Sequence, residues 1–348
     1  VTILRGDCRE VLRTLPDESV HCVVTSPPYF GLRDYGVAGQ IGLEPSPDAF
    51  VDEMVTVFRD VRRVLRDDGT LWLNLGDSYA GAGKWGGHTG GNHVKALHCS
   101  PIRRNERYTG LKSKDLIGIP WRVAFALQAD GWYLRQDIIW SKPNPMPESV
   151  RDRCTRAHEY IFVLSKSARY YYDADAIAET SSTSDMRRPF APGQVDYRGN
   201  GHDRGGGEQR KPDKQSGHGR RHAGFNDRWD AMERAKQCSG KRNKRSVWTI
   251  ATQGYSEAHF ATFPPALIEP CILAGCPASG IALDPFGGAG TTGLVADRLG
   301  RNAILIELNP DYADMAERRI RSDAPLFAEA QARKAGGDGP VTPRPHHG

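Results

Sequence analysis

From Ile281 the chain reads as a short apolar strand, then Asp284-Pro285-Phe286-Gly287-Gly288-Ala289-Gly290-Thr291-Thr292. A helix follows to about Leu299, and then a second strand over Ala303–Ile306 that ends on Glu307. This stretch limits the fold more than any other. A strand, a glycine-rich turn, a helix, a strand and an acidic residue form a nucleotide-binding unit, and such units sit in parallel sheets. Gly288, Gly290 and Gly293 satisfy the G-x-G-x-x-G spacing. Glu307 falls about 20 residues on, where a carboxylate can accept hydrogen bonds from ribose hydroxyls. On this motif alone a nicotinamide-dependent dehydrogenase stays open. Asp284 and the two threonines suit a zwitterionic amino-acid moiety instead, with a carboxylate for ammonium and hydroxyls for carboxylate. No Gly-Lys-Ser/Thr follows the turn, which excludes a phosphate-binding loop of that type.

The rest of the chain agrees with an α/β fold around a mainly parallel sheet. Strands are expected at Val1–Leu4, His21–Thr25, Thr70–Leu75, Leu134–Trp140 and Glu159–Leu164. Pro47–Leu65 has helical spacing, with Phe50, Met54, Val57, Phe58, Val61, Val64 and Leu65 on one face and Gly69 as its expected stop. Further helices are expected at Pro120–Ala129, Phe263–Leu273 and Asp311–Arg321. Residues 81–113 read as a long mobile loop rich in Gly, His, Lys and Arg. His88, His93, His98 and Cys99 within it match no standard zinc spacing, so no metal is expected.

The His21–Thr25 strand runs into Ser26-Pro27-Pro28-Tyr29-Phe30. Open α/β sheets bind ligands at strand ends of this kind. Two prolines fix the backbone and remove two N–H donors, leaving an acceptor-rich turn. Fixed acceptors are what an amino group needs: two hydrogen bonds from an –NH₂ would orient it and aim its lone pair. Tyr29 offers a flat face on which a base can stack. An isolated tetrapeptide of this kind is equally compatible with a plain surface turn.

The net charge is +5, but Asp185–Arg245 holds sixteen Lys/Arg against eight Asp/Glu, a local balance of +8 that leaves −3 for the remainder. Residues 180–245 are also Gly-rich and poor in aliphatic side chains. They read as an insert that orders on an anionic polymer, or as a solvated segment. The seven cysteines form no CxxC pair, which fits reduced thiols and a cytoplasmic home. No apolar run is long enough to cross a membrane, and no secretory signal is legible.

Taken together, Thr25–Phe30 and Asp284–Thr292 resemble the amino-methylating DNA methyltransferases, the N4-cytosine/N6-adenine family. The order of base site before cofactor site is similar to that family's beta group. Leu71–Asp77, Trp140-Ser141-Lys142-Pro143 through His158-Glu159-Tyr160 to Ser165-Lys166, and Ala258-His259-Phe260 through Phe263-Pro264-Pro265 extend the resemblance from about Thr2 to Ile320. It implies a permuted seven-stranded, Rossmann-like S-adenosylmethionine-dependent methyltransferase sheet with a basic insert. In that scheme the Ile281 and Ala303 strands are the first two, the Val1 strand the third and the His21 strand the fourth. The division expected is residues 1–179 and 246–322 for the methyltransferase domain, 180–245 for target recognition and 323–348 for a disordered tail.

The resemblance also implies site residues. Ser26, Pro27, Pro28 and Tyr29 would grip the target base. Asp7, Phe263, Pro264, Asp284, Phe286, Gly288, Gly290, Thr291, Thr292 and Glu307 would hold S-adenosylmethionine. Apart from the resemblance, Arg33, Lys142, Arg151 and Arg153 are candidate phosphate contacts on double-stranded DNA, each of which taken alone reads more readily as an ordinary surface charge. The implied reaction is direct in-line transfer to a flipped base, with no covalent enzyme intermediate. Within the family Ser at position 26 is associated more with cytosine N4, and Asp with adenine N6. The partners implied are DNA, a cognate restriction endonuclease and a second copy of the chain, with no membrane. Rival readings are N6-adenine methylation, methylation of RNA or protein glutamine, a non-catalytic DNA-binding module and a dehydrogenase. The protein-modifying relatives typically carry Asn, not Ser, before Pro-Pro-Tyr.

Overall fold

Near-continuous apolar runs along the inner strands give one sheet two apolar faces. The computed structural model describes residues 1–80, 100–101, 110–180, 241–254, 262–323 and 331–334. In chain order the elements are β1 (Thr2–Arg5), α1 (Cys8–Thr14), β2 (Val20–Thr25), β3 (Arg33–Asp34), α2 (Pro47–Val64), β4 (Leu65–Leu75) and β5 (Ser100–Pro101). Next come α3 (Ile119–Ala129), β6 (Tyr133–Ser141), β7 (His158–Ser165), β8 (Glu179–Thr180), β9 (Lys241–Arg242) and β10 (Val247–Thr249). The last are α4 (Pro265–Gly275), β11 (Ile281–Asp284), α5 (Thr291–Arg298), β12 (Asn302–Glu307), α6 (Pro310–Asp323) and β13 (Gln331–Lys334). By its contacts the chain divides into two units, Val1–Ile177 with Arg245–Gly348, and Ala178–Lys244. In the second unit the described part is the antiparallel pair β8–β9, with Glu179 held by Arg242 at 3.5 Å and Lys244 at 3.7 Å.

The main sheet has nine strands among the described residues, in the order β10-β6-β7-β4-β2-β11-β12-β1-β13. Of its seven inner strands, the four that the resemblance assigns lie side by side in the order β2-β11-β12-β1. β7 runs antiparallel to both β4 and β6, and the other pairs are parallel. Two edge strands were not expected. β10 is short but carries Trp248, which is buried and stacks near Trp72 at 6.4 Å. β13 lies in the stretch read as a disordered tail; it pairs with β1 from Thr2–Gln331 to Arg5–Lys334, where β1 has an unpaired backbone edge to satisfy.

Val23, Leu71, Leu73 and Leu75 face α1, α2 and α3, while Cys22, Val24 and Trp72 face α4 and α5. α6 closes over β1 and β12 through Ala313, Ala316 and Ile320. α2 starts where Ser46 accepts from the Ala49 amide at 3.1 Å with Pro47 in the first turn, and its Phe50, Met54, Val57, Phe58, Val61 and Val64 are buried. Gly69 does not stop this helix. The helix caps at Leu65 and the chain turns directly into β4, where a Cβ on Gly69 would come within 2.5 Å of Leu65 Cδ1. Its role is close packing. α1 escaped the sequence reading because seven residues give too little periodicity; Asp7 caps it through the Arg9 amide at 2.9 Å.

From β11 the chain crosses to β12 on one side, and from β2 it crosses to β4 on the other. β2 and β11 are neighbours, so the crevice beyond their carboxyl ends is the switch point where open α/β sheets bind ligands. Both sequence motifs emerge there. No helix among the described residues is long and apolar enough to cross a membrane. The zinc candidates, Ala258-His259-Phe260 and residues 181–240 lie outside the described residues.

Candidate active site

A cavity of about 570 Å³ opens at the switch point, within the usual range for a small-molecule site. Of the expected residues, Asp7, Ser26, Pro27, Pro28, Tyr29, Arg33, Lys142, Phe263, Phe286, Gly288, Thr291 and Glu307 line it. Pro264, Asp284, Gly290, Thr292, Arg151 and Arg153 do not.

The glycine turn shapes one end. Gly288 and Gly290 have positive φ, 50° and 76°, which L side chains rarely adopt, and Gly290 is the N-cap of α5. Gly293, the third of the trio, serves packing: a Cβ there would lie 2.9 Å from Leu305 Cδ1. Glu307 accepts the Gly288 amide at 2.7 Å and the Asn309 amide at 2.8 Å, one on each oxygen. Burial pushes its carboxyl up to about 7, and the charge of Asp284 adds to this against the amides that stabilise the ionised form. Each oxygen keeps acceptor capacity on the cavity side.

Asp284 is placed differently from the sequence expectation. It is 1% exposed. Its oxygens take the Thr25 hydroxyl at 2.6 Å, the Thr292 hydroxyl at 2.7 Å and the Phe286 amide at 3.0 Å. Burial pushes it up to about 6. Buried and outside the cavity lining, Asp284 ties β2 to the glycine turn and presents no surface to the cavity. Thr292 is spent on the same knot. Asp7 lines the cavity with Arg9 fastened to it; burial acts to raise its carboxyl, but the Arg9 contacts outweigh this and hold it below the usual range.

The other end is built around Ser26. Asn74 Nδ2 donates to the Tyr160 carbonyl at 3.0 Å, which can only accept, so Asn74 Oδ1 must face Ser26 Oγ at 3.3 Å and Tyr29 Oη at 3.2 Å. Tyr29 Oη is also 2.8 Å from Glu159 Oε2, the shorter and charged partner for its single proton. Burial, then the charge of Glu159, raise the Tyr29 phenol well above its ordinary value, so it stays a donor. Glu159 is in turn paired with Lys142, whose ammonium lies 4.2 Å from the Trp140 ring centroid. Ser26 can therefore give its proton to Asn74 and present its oxygen lone pairs as acceptors. The Tyr29 ring lies against Gly76, where a Cβ would come within 2.3 Å of Cε2.

Two expected phosphate contacts are engaged otherwise. Lys142 belongs to this network, and Arg153 binds Glu148 at 2.6 Å with its guanidinium 4.1 Å over the Tyr79 ring. Arg33 is half-buried in the cavity wall and Arg151 is exposed. Asn74 and Glu159 were not singled out from sequence. Both lie within stretches that carried the family resemblance, but their roles depend on β4 and β7 being adjacent, which pairs Asn74 with Ile161. Asp77, also unassigned, accepts the Gly118 and Ile119 amides at 2.9 and 3.0 Å and so caps α3 from across the site. Among the described residues Cys8 is the cysteine in the cavity wall, and burial pushes its thiol up to about 12, which keeps it from acting as a thiolate. No group of three or more metal-ligating side chains is gathered among the described residues.

The sequence model of the DNA methylase family matches residues 20–318. The type II methyltransferase M.SmaI of Serratia marcescens is 46% identical over 319 residues, covering 91% of this chain and 90% of that protein. M.Cfr9I of Citrobacter freundii, also a type II methyltransferase, is 43% identical over 322 residues, covering 92% and 88%. Among solved structures, TTHA0409 of Thermus thermophilus, in complex with S-adenosyl-L-methionine, aligns with a TM-score of 0.56 at 23% identity, covering 97% of this chain and 99% of that one. The cytosine-N4-specific PvuII DNA methyltransferase aligns with a TM-score of 0.56 at 19% identity, covering 94% and 93%. At these identities the structural likeness is one of fold.

Proposed function

This chain belongs to the N6/N4 DNA methylase family, and from that premise we propose that it methylates the exocyclic N4 of cytosine in double-stranded DNA, with S-adenosylmethionine as methyl donor. The observation that carries this reading is the meeting, in one cavity, of an acceptor-presenting Ser26 and a ribose-ready Glu307.

The residues present fit the cofactor. Glu307 keeps acceptor capacity for two adjacent hydroxyls, Gly288 brings backbone close, and Phe286 with Phe263 supplies apolar wall for an adenine ring. When bound, the cofactor supplies a methyl group on a cationic sulfur. Every other contribution comes from the chain. Ser26 and the carbonyls of the Pro-Pro turn accept from the target amino group and hold it oriented. The same acceptors favour the positive charge that grows on nitrogen as the N–C bond forms and the S–C bond breaks. One N–H proton then leaves to water, so no strong base is required. Lys142 neutralises Glu159, and Glu159 with Asn74 keeps the Tyr29 and Ser26 protons pointed away from the amino group.

A base within a duplex cannot reach Ser26, so the target is flipped out, at a cost of a few kcal/mol that stacking in the cavity partly offsets. Arg33 and Arg151 are proposed phosphate contacts, and residues 180–245 the target-recognition region. A cognate restriction endonuclease and a homodimer are proposed partners. Preference for cytosine over adenine rests on Ser26, and N6-adenine methylation is the second reading because the same acceptors can hold that amino group.

The test is incubation with labelled S-adenosylmethionine and genomic DNA, followed by nucleoside analysis. N4-methylcytosine is expected. N6-methyladenine would overturn the choice of base, and DNA without label would overturn the reading as a whole.

A further inference from the structure

Of the large apolar side chains exposed among the described residues, Met146 stands furthest into solvent, at 84% exposure. Single exposed apolar residues are ordinary on protein surfaces. This one differs in where and how it is held. It lies at the wall of the cavity that contains Ser26 and Glu159. It is the centre of Pro145-Met146-Pro147, and a third proline stands at Pro143, so the backbone on both sides has restricted φ.

The loop is pinned at both ends. Asn144 accepts the Thr252 amide at 2.9 Å and donates to the Thr252 carbonyl at 3.2 Å. Glu148 takes Arg153 at 2.6 Å and the Arg156 amide at 3.3 Å. A long, unbranched apolar side chain is thus carried on a stiff rib at the mouth of a site that must receive one base. Arg156 in the same wall adds its positive charge to that of Arg153 around Glu148, so this end of the loop is held electrostatically as well.

We infer that Met146 is a wedge that enters the DNA base stack in the space left by the extruded target base. This rests on the methyltransferase reading above. Extruding a base leaves an apolar gap between its stacked neighbours, and apolar side chains, methionine included, fill such gaps between base steps. The wedge acts on the duplex rather than on the methyl transfer, so its effect depends on whether the target base is already unpaired.

The experiment compares single-turnover methylation by the wild-type chain, Met146→Ala and Met146→Leu. The substrate is a duplex bearing the target site, first mapped by sequencing DNA the enzyme has modified. Each protein is also assayed on the same duplex with the target base opposite an abasic position. Met146→Ala should slow transfer on the paired duplex by about tenfold or more, the loss expected when a buried methionine side chain is removed. The loss on the unpaired target should be much smaller, and Met146→Leu should recover most of the paired rate. Cofactor binding by calorimetry should match wild type, because Met146 is exposed and its removal leaves no cavity in the core. Equal losses on paired and unpaired targets, or no loss on either, would overturn the wedge while leaving the enzyme assignment intact. A wild-type chain that labels no DNA would overturn both.

Discussion

Each end of the cavity carries a carboxylate, and the two are treated in opposite ways. Glu307 is met by neutral backbone amides, keeps acceptor capacity toward the cavity and has its carboxyl raised to about 7. Glu159 is met by the Lys142 ammonium, the Tyr29 hydroxyl and the Asn74 amide, with both ion-pair side chains only 16% exposed. One carboxylate is left for a ligand; the other is spent inside the protein so that a neighbouring neutral hydroxyl can be the group on display. A charge near a site is therefore not a contact with the ligand until its remaining hydrogen-bonding capacity has been followed. Losses at the Ser26 end should appear in turnover, and losses at the Glu307 end in cofactor affinity.

The largest expected effect is at Ser26. Ser26→Ala should lower kcat by about a hundredfold, by analogy with loss of one preorganised hydrogen-bonding partner at a reacting centre, with little change in cofactor Kd. Equal losses in both would break the division. Glu307→Gln should do the reverse, weakening cofactor binding by roughly ten- to a hundredfold through loss of hydrogen bonds to a charged acceptor, as measured by calorimetry.

Next comes pH. Hydroxyl donors favour the ionised Glu307, whose carboxyl in the free chain sits at about 7. Cofactor affinity should therefore fall as pH drops below about 7, by up to about tenfold per pH unit, and Glu307→Gln should flatten that slope. A profile that rises toward acid would contradict the assignment. Glu159→Gln, which keeps the shape but removes the charge partner of Lys142, should cut kcat by about tenfold. Restoration of the rate by a compensating neutral substitution at Lys142 would mark it as a positioning residue.

The smallest effect on binding is expected at Asp284, because it is buried outside the cavity wall. Asp284→Asn should change cofactor Kd by less than about threefold, below the value of a single net hydrogen bond. Its signature is in stability. The folded carboxyl lies at about 6 against an ordinary 3.8, so the wild type loses stability as pH rises from about 4 through 6. Across that window the Tm of Asp284→Asn should gain on the wild type, by the equivalent of on the order of 2–3 kcal/mol.

The strands and both turns were legible because short apolar runs, prolines and glycines act locally, whereas the permuted order came from the family resemblance. What stayed hidden was relational. Asp284 has the residue type of a ligand-binding acid, and only its contact with Thr25, 259 positions away, shows that it is tied into the fold. Asn74 gains its meaning from the Tyr160 carbonyl on a neighbouring strand. Lys142 has the residue type of a phosphate contact, and its ion pair with Glu159 is visible only once β6 and β7 are paired. Gly69 mimics a helix stop because sequence spacing cannot distinguish a terminator from a position that must stay small beside Leu65.

The hydrogen bond from Thr25 to Asp284 also bears on timing. It joins the adjacent strands β2 and β11 across 259 positions, so at about 5–20 residues per second a ribosome makes the second partner tens of seconds after the first. During that interval β2 waits with one unpaired edge, in the middle of what will become the sheet. The base-gripping half is thus synthesised well before the cofactor half, and the two become one site only when the chain's last third slides in beside its beginning. Such distant pairing is slow and exposes sticky edges meanwhile, so the nascent chain should be most vulnerable to aggregation just before residues 281–307 emerge.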